Sequence, residues 1–504
     1  MTRSDPYSTS RIASGVAYLV GGKLVSAFAN ISTFMLLVRG LPVEAFAAYT
    51  VLFAIAELAD AVTGVGLSHV LSRYVPELHV QHRRRTLRLL LLYGLAARVL
   101  VAAAFLGVAY LLVPAIAPAI GLEQWQWAVK AYLLVVLVRI TSLALFGILE
   151  AMLHQKISQV GASLVAVAKF GLLAAASAGG LDLRTVIGIE LATDALGVLI
   201  ALMGILRVTR REPAGSETDE GAGWLRGNLR RMTAFGLKGY LQHLLILPYN
   251  GSTARLLVGG SLSAPEVALF GFAQSAAELM GRYLPVNLLS GVIRPVLTAR
   301  YVRDQRFPDL VFAANMIVKI SGALAAFVAV VTYSGGEALL GLVTKGKYGE
   351  GVVGLLLLMC ALVFAYALRV SLDQVCHAVE RNGPLIWSNI LINLSVVPGV
   401  LLLPVLGVYA MPLSSMTGVF AGCLILVWRL RRGGFDYRHD VSGLLRLLAA
   451  MGVAMLAADA ARWAEAGWAV SLAVGATSYA LALLAFRPAS ADERALVLAL
   501  VRRR

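Results

Sequence analysis

Runs of about twenty apolar residues recur along the whole chain, separated mostly by short polar connections. A helix of that length crosses the hydrocarbon core of a bilayer, so this pattern constrains the fold more than any local motif. Of the 504 residues, 59% are hydrophobic and 14% are charged, whereas a soluble domain carries about 25% charge. Such a chain cannot cover a water-facing surface with polar groups, and lipid must be its solvent. The sequence is therefore read as an all-α, polytopic membrane protein. The first apolar run is too long and too polar inside for a cleaved signal peptide and is read as a retained helix.

About fourteen spans are expected, near 12–38, 44–70, 87–113, 127–153, 157–178, 184–207, 232–258, 265–293, 310–333, 351–377, 385–403, 407–429, 441–460 and 467–486. Gly and Pro occur in several of them, as membrane helices tolerate. Cys360, Cys376 and Cys423 all fall inside apolar runs and read as small buried hydrophobes. Their spacing offers neither a zinc site nor a disulfide framework.

A net charge of +16 would suggest nucleic acid in a soluble protein. Here no nucleic-acid partner is expected, because the basic residues have other work. Arg83, Arg84, Arg85, Arg88, Lys156, Arg207, Arg210, Arg211, Arg226, Arg230, Arg231, Arg300, Arg303, Arg306, Arg381, Arg429, Arg431, Arg432 and Arg438 crowd the even-numbered connections. The odd connections carry little beyond Arg184, Lys345, Lys347 and Arg462. The positive-inside rule then places both termini in the cytoplasm. Trp125, Trp127, Trp463 and Trp468 near the outer face, with Trp224 and Trp428 near the inner face, fit interfacial belts.

Residues 210–228 form a stretch of soluble composition, with Pro213, Gly215, Ser216 and Glu217, and read as a flexible cytoplasmic linker. A weak internal repeat supports a division there. The segment 32–40, from Ser32-Thr33 to Arg39-Gly40, resembles 252–260, and Ala56-Glu57-Leu58 matches Ala277-Glu278-Leu279. Span one thus corresponds to span seven and span two to span eight. The expected organisation is a six-helix bundle over 1–209, the linker 210–228, a second six-helix bundle over 229–432, and two added helices with a tail over 433–504. Repeats of even helix number share topology, so the halves would be related by a pseudo-two-fold axis along the membrane normal.

Polar residues inside these spans fall at helical spacing. Lys23, Ser26 and Asn30 share a face of span one, and Glu57, Asp60 and Gly64 a face of span two. Span seven carries Lys238 and Gln242, and span eight carries Gln274, Glu278 and Arg282. Ionisable groups in lipid are costly and normally face protein or a water-filled cavity. The stripes are read as lining a hydrophilic cavity. Arg39 and Arg255, at equivalent positions of spans one and seven, are added as cavity cations. The alternatives are that Glu278 and Arg282 only clamp each other and that Arg39 only snorkels. The remaining embedded charges, Arg98, Arg139, Glu150, Lys169, Glu190, Asp194, Lys319, Arg369 and Asp373, are explained as easily by interhelical pairing as by transport.

No enzyme signature is visible: the chain has no P-loop, no H-E-x-x-H sequence, no Cys/His metal cluster and no catalytic residue set. No long loop is present to house a soluble catalytic domain. A secondary transporter without cofactor or metal is what the sequence leaves.

The segment Arg39-Gly40-Leu41-Pro42, then 43–49 ending in Ala47-Ala48-Tyr49, and the glycine-rich Gly64-Val65-Gly66-Leu67 with Arg73 and Pro76 beyond resembles the polysaccharide transporter branch of the multidrug/oligosaccharidyl-lipid/polysaccharide exporter superfamily. The glycine usual before the tyrosine is replaced here by Ala47 and Ala48. The resemblance implies two six-helix bundles that alternate between inward and outward openings in the bacterial inner membrane. It implies a lipid-linked oligosaccharide of the undecaprenyl-diphosphate type as cargo, for surface or exopolysaccharide synthesis. Membrane lipids, a polysaccharide polymerase and export machinery are the expected partners. Lys23, Asn30, Arg39, Lys238, Gln242, Arg255, Gln274 and Arg282 would then meet the cargo, its diphosphate drawn to the cations. Glu57, Asp60 and Glu278 would couple a proton or a sodium ion. A multidrug antiporter, a peptidoglycan-precursor flippase and a membrane-bound saccharide polymerase or ligase are the competing readings.

Overall fold

In a computed structural model the described residues are 9–80, 83–152, 154–211, 221–288, 301, 306–348, 351–379, 381 and 383–495. Most of the expected linker (212–220), the end of span eight and the side chain of Gln242 lie outside what is described. Among the described residues the ordered elements are helical. They divide into two compact units, 1–260 and 261–504.

The first unit holds α1 (Thr9–Gly40), α2 (Val43–Val62), α3 (Leu67–Val80), α4 (Arg84–Ala119), α5 (Gln126–Ala151), α6 (Gln155–Ser177), α7 (Leu183–Arg211), α8 (Ala222–Leu244) and α9 (Gly251–Gly259). The second holds α10 (Ala264–Tyr283), α11 (Phe307–Thr344), α12 (Val352–Ala378), α13 (Gly383–Leu394), α14 (Val396–Leu406), α15 (Ala410–Arg432), α16 (Val441–Trp463) and α17 (Trp468–Phe486).

Eleven helical stretches among the described residues are long and apolar enough to cross a membrane. One of them, Gly383–Arg432, is 50 residues long. That would extend about 75 Å as one rod, more than twice a bilayer core of about 30 Å. It folds back instead. Ser388 Oγ donates to the Gly422 carbonyl at 2.9 Å. Gly418 faces Ser395, and Gly399 faces Met411 and Ser414. As the position on α13–α14 rises, its partner on α15 falls, which is the register of an antiparallel hairpin with two crossings. Spans seven and eight are absent from the eleven stretches for visible reasons. Span seven is broken between α8 and α9 around Pro248. Span eight begins as α10, which carries the polar stripe, and continues into residues not described.

The two units share neighbour relations among their helices. In the first unit α4 packs on α5, α5 on α7, α6 on α7 and α2 on α5. In the second, α11 packs on α12, α12 on α15, α13 on α15 and α10 on α12. These are the same neighbour relations for spans two to six and eight to twelve. The added pair, α16 and α17, pack on each other and on α11, with a small-residue seam of Ala326, Ala450, Ala454 and Ala482 around Tyr479.

Two glycines explain how the broken span seven sits in the first unit. Gly66, at φ 72° between α2 and α3, would place a Cβ 2.1 Å from the carbonyl oxygen of Gly236 on α8. Gly121, at φ 71° after α4, would place one 2.1 Å from the carbonyl of Gly259 on α9. Both positions need the left-handed conformation that glycine adopts without steric cost, and both let backbone meet backbone. The three cysteines are buried and free, as expected of small hydrophobes.

Candidate functional site

The polar positions of span two meet partners on neighbouring helices. Glu57 lies 3.6 Å from Arg255 Nη1 on α9 and accepts a hydrogen bond from Ser252 Oγ. Arg255 is 1% exposed, and its guanidinium stacks 5.5 Å from the ring centroid of Phe53. One turn along α2, Asp60 pairs with Arg98 of α4, which also reaches the Asp60 carbonyl at 3.3 Å. Each carboxylate of the span-two stripe is thus engaged by an arginine.

On α1, Ser26 Oγ lies 3.1 Å from Ser163 Oγ of α6, and Ser163 also donates to the Gly22 carbonyl at 3.0 Å. The serine of this stripe therefore faces a helix contact. Lys23 and Asn30 are half-buried, and Arg39 is exposed at the far end of the helix. Lys238 is exposed on α8, beside Gly239, which packs against His69. On α10, Gln274 donates to Glu278 at 3.1 Å, and Arg282 is exposed in the last turn. Among the described residues no ion pair engages Lys23, Lys238 or Arg282. The clamp between Glu278 and Arg282 is thus not formed in this structure.

The densest polar cluster lies elsewhere in the first unit. Glu190 of α7 is fully buried. One carboxylate oxygen accepts from Tyr49 of α2 at 2.8 Å and from Lys169 of α6. The other accepts from Tyr132 at 2.7 Å and Arg139 at 2.9 Å, both on α5. Arg139 Nε donates to Asp194 Oδ2 at 3.0 Å. Tyr132 and Arg139 are seven apart and Glu190 and Asp194 four apart, so each pair shares a helix face. Two cations and two carboxylates balance, and four helices are tied at one point. Arg139 also stacks 5.9 Å from the Phe53 centroid, the ring that Arg255 covers, so Phe53 joins this cluster to the Glu57–Arg255 pair.

Two polar knots hold the second unit. Arg369 pairs with Asp373 on α12 and donates to Asn389 of α13 at 2.7 Å. Lys319 of α11, 7% exposed, reaches Asp440 before α16, Glu493 after α17 at 2.7 Å and the Pro488 carbonyl at 3.4 Å. Among the described residues no group of three or more His, Cys, Asp or Glu is placed to hold a metal ion.

This helical architecture has known counterparts. The structure is similar to that of a lipid II flippase, MurJ, in an inward-closed conformation, at TM-score 0.69 and 11% identity over 93% of this chain and 98% of the other. It is also similar to an inward-facing multidrug resistance transporter of the MATE family, in the MOP superfamily, at TM-score 0.62 and 14% identity over 82% and 95% of the two chains. At these identities the likeness is one of fold. Among curated proteins, no sequence matches the chain. The profile of the polysaccharide biosynthesis protein family matches residues 12–301, more than half the chain and continuous from the first span into the second unit. This multi-pass membrane protein therefore belongs to the polysaccharide biosynthesis protein family, and its fold is that of the MOP exporters.

Proposed function

We propose that the chain is a secondary transporter that moves an undecaprenyl-diphosphate-linked saccharide outward across the bacterial inner membrane by alternating access, for surface or exopolysaccharide synthesis. The observation that carries this reading is an asymmetry of charge. The carboxylates of the span-two stripe, Glu57 and Asp60, are held by Arg255 and Arg98. The cations Lys23, Lys238 and Arg282 have no ion-pair partner among the described residues. Lipid makes an uncompensated cation costly unless a counterion or water meets it, and a diphosphate offers oxygens for charge-assisted hydrogen bonds. A cationic drug would want the reverse arrangement. Glu57, Asp60 and Glu278 are the proposed places for a coupling proton or sodium ion, since the sequence has no P-loop to draw on ATP. The basic connections support cytoplasmic termini, and a polymerase would receive the cargo outside.

The test is reconstitution of the purified chain in vesicles, with three substrates compared: a lipid-linked saccharide repeat unit, lipid II and a cationic dye. Ion-dependent movement of the saccharide lipid, with no dye efflux, is the expected outcome. Faster movement of lipid II than of the repeat unit would assign the chain to the peptidoglycan precursor. Dye efflux without lipid movement would make it a drug antiporter.

A further inference from the structure

The end of α15 carries Arg429, Arg431 and Arg432 in its last turn, and the structure sorts these arginines into two kinds. Arg431 donates to the Tyr437 carbonyl at 2.8 Å and lies 4.0 Å from Asp436, which also holds Arg438 at 3.0 Å. Arg429 and Arg432 meet no carboxylate among the described residues. They lie on indole rings instead. Arg429 is 5.1 Å from the Trp387 ring of α13 and 5.7 Å from that of Trp428, and Arg432 is 5.1 Å from Trp428. A guanidinium held over an aromatic ring uses none of its N–H donors on that contact and keeps them for an anion. Arg429 Nε is buried and has no hydrogen-bond partner.

The rings below these arginines are half exposed, 50% each, and they begin an apolar strip. From Trp387 it continues through Ile390, Leu394, Val397 and Leu401, with Leu424 of the antiparallel α15 beside it, all exposed. The spacing of three, four, three and four is that of one helix face. Residues 387–401 rise about 21 Å, which exceeds the roughly 15 Å of one leaflet's hydrocarbon. The combination is two guanidinium groups that meet no carboxylate at a helix end, half-exposed aromatic rings beside them and an acyl-length apolar track leading away.

We propose that Arg429 and Arg432, set on Trp387 and Trp428, form a binding site for the phosphate of an anionic glycerophospholipid whose acyl chains lie along the exposed face of α13–α14. Charge complementarity selects the occupant: a zwitterionic headgroup brings its own cation, whereas an anionic one leaves its phosphate for the two arginines. The site lies within the second unit and uses none of Lys23, Lys238 and Arg282, so its existence does not depend on which cargo is moved.

The experiment uses the full chain in phosphatidylcholine vesicles doped with brominated phosphatidylglycerol or brominated phosphatidylcholine, with tryptophan fluorescence as readout. Trp387 and Trp428 are two of the chain's seven tryptophans, so site occupancy by a brominated lipid quenches a definite fraction. Quenching is expected to saturate at a lower mole fraction of the phosphatidylglycerol. At about one kcal/mol for each basic residue at a membrane surface, the half-point should shift roughly thirty-fold in Arg429→Gln/Arg432→Gln and about fivefold in Arg432→Gln alone. The single variant changes only an exposed side chain, so it reports even if the double variant folds poorly. Arg438→Gln, already paired with Asp436, should leave the half-point in place. An unshifted half-point in Arg432→Gln and the double variant overturns the proposal. Abolition of the preference by millimolar pyrophosphate overturns it in favour of a soluble-anion site, and stronger displacement by undecaprenyl phosphate than by unlabelled phosphatidylglycerol overturns it in favour of the cargo lipid.

Discussion

A carboxylate at the centre of four apolar helices persists only if other groups replace the water it lost, and Glu190 has four such groups. Tyr49, Tyr132, Arg139 and Lys169 fill its oxygens. Breaking a buried ion set by removing one member strands the rest and costs roughly 3–5 kcal/mol. Glu190→Gln is therefore expected to lower the thermal midpoint of the purified protein sharply, and adding Lys169→Met should restore part of it by removing a surplus cation. An unchanged midpoint in Glu190→Gln would show that the cluster contributes nothing to stability. The spacing of Glu190 and Asp194 and the lone Arg139 and Lys169 were legible in the sequence as charges needing partners. Which charge meets which was not, because it depends on the depth and rotation of helices far apart in the chain. Tyr49 stood out only within the motif that carries the resemblance, and Tyr132 gave no signal, since a tyrosine in an apolar run is hard to tell from packing until its hydroxyl finds an acceptor. Arg255 shows the same limit. Spacing aligned it with Arg39 and suggested a cavity position, but in this structure Glu57 and Phe53 enclose it. Nothing local to residues 252–260 announces those partners.

Elements were legible where one period runs uninterrupted and less so where the chain breaks. The long apolar helices of spans three to six, nine, ten, thirteen and fourteen needed only their length. The interruption of span seven at Pro248 and that of span two at Gly64–Gly66 are local backbone events inside otherwise apolar runs. The glycines that permit them announce freedom, not the neighbour that demands it. Gly66 makes this testable. Alanine there meets both an unfavourable φ and the Gly236 carbonyl, so Gly66→Ala should reduce the yield of folded protein in size-exclusion chromatography. Gly171→Ala on α6, with open space around it, should be neutral or slightly stabilising by the usual helix preference for alanine. At the start of α16, Asp440 caps the helix by accepting from the Gly443 N–H at 3.0 Å while holding Lys319. Burial acts to raise its pKa, but the hydrogen bonds from Lys319, the Gly443 N–H and Ser442 outweigh it and hold the pKa down to about 2. A depressed carboxylate stabilises the fold above its unfolded pKa of about 3.9, and that contribution fades as pH falls toward 2. Asp440→Asn should therefore melt lower than the parent at pH 7, by about 1 kcal/mol or more from the cap and ion pair. The gap should narrow in melts at pH 3. A gap that stays constant from pH 7 to pH 3 would show that the Asp440 charge is not what stabilises this end of α16.

At the scale of the molecule, a membrane protein has few places to hold an uncompensated charge, and where it holds one says what it handles. Most embedded cations here are compensated within their own unit: Arg98, Arg139, Lys169 and Arg255 in the first, Lys319 and Arg369 in the second. Lys23 and Lys238 in the first unit and Arg282 in the second have no ion-pair partner among the described residues, and all three lie on polar stripes read from the sequence. A structural role would leave them with partners, and snorkelling would favour the ends of spans over Lys23, which is well inside α1. If they bind a diphosphate, removing one loses a charged hydrogen bond of about 1.5–3 kcal/mol, at least tenfold in cargo affinity. Lys23→Ala, Lys238→Ala and Arg282→Ala should therefore each cut lipid-linked saccharide movement in vesicles about tenfold or more at limiting cargo, with protein level and melting unchanged. Lys23→Arg should keep part of the activity, since charge is conserved while geometry and hydration differ. Glu278 supplies the internal comparison. It accepts from Gln274 rather than pairing with Arg282, so Glu278→Gln leaves the cation as it was. If Glu278 carries a coupling ion, that variant should bind cargo with parental affinity yet lose ion-driven movement. If it only positions Gln274, movement should survive. Full transport by Lys23→Ala, Lys238→Ala and Arg282→Ala together would mean that the open cations are not where the cargo is held, and anionic recognition along these stripes would have to be abandoned.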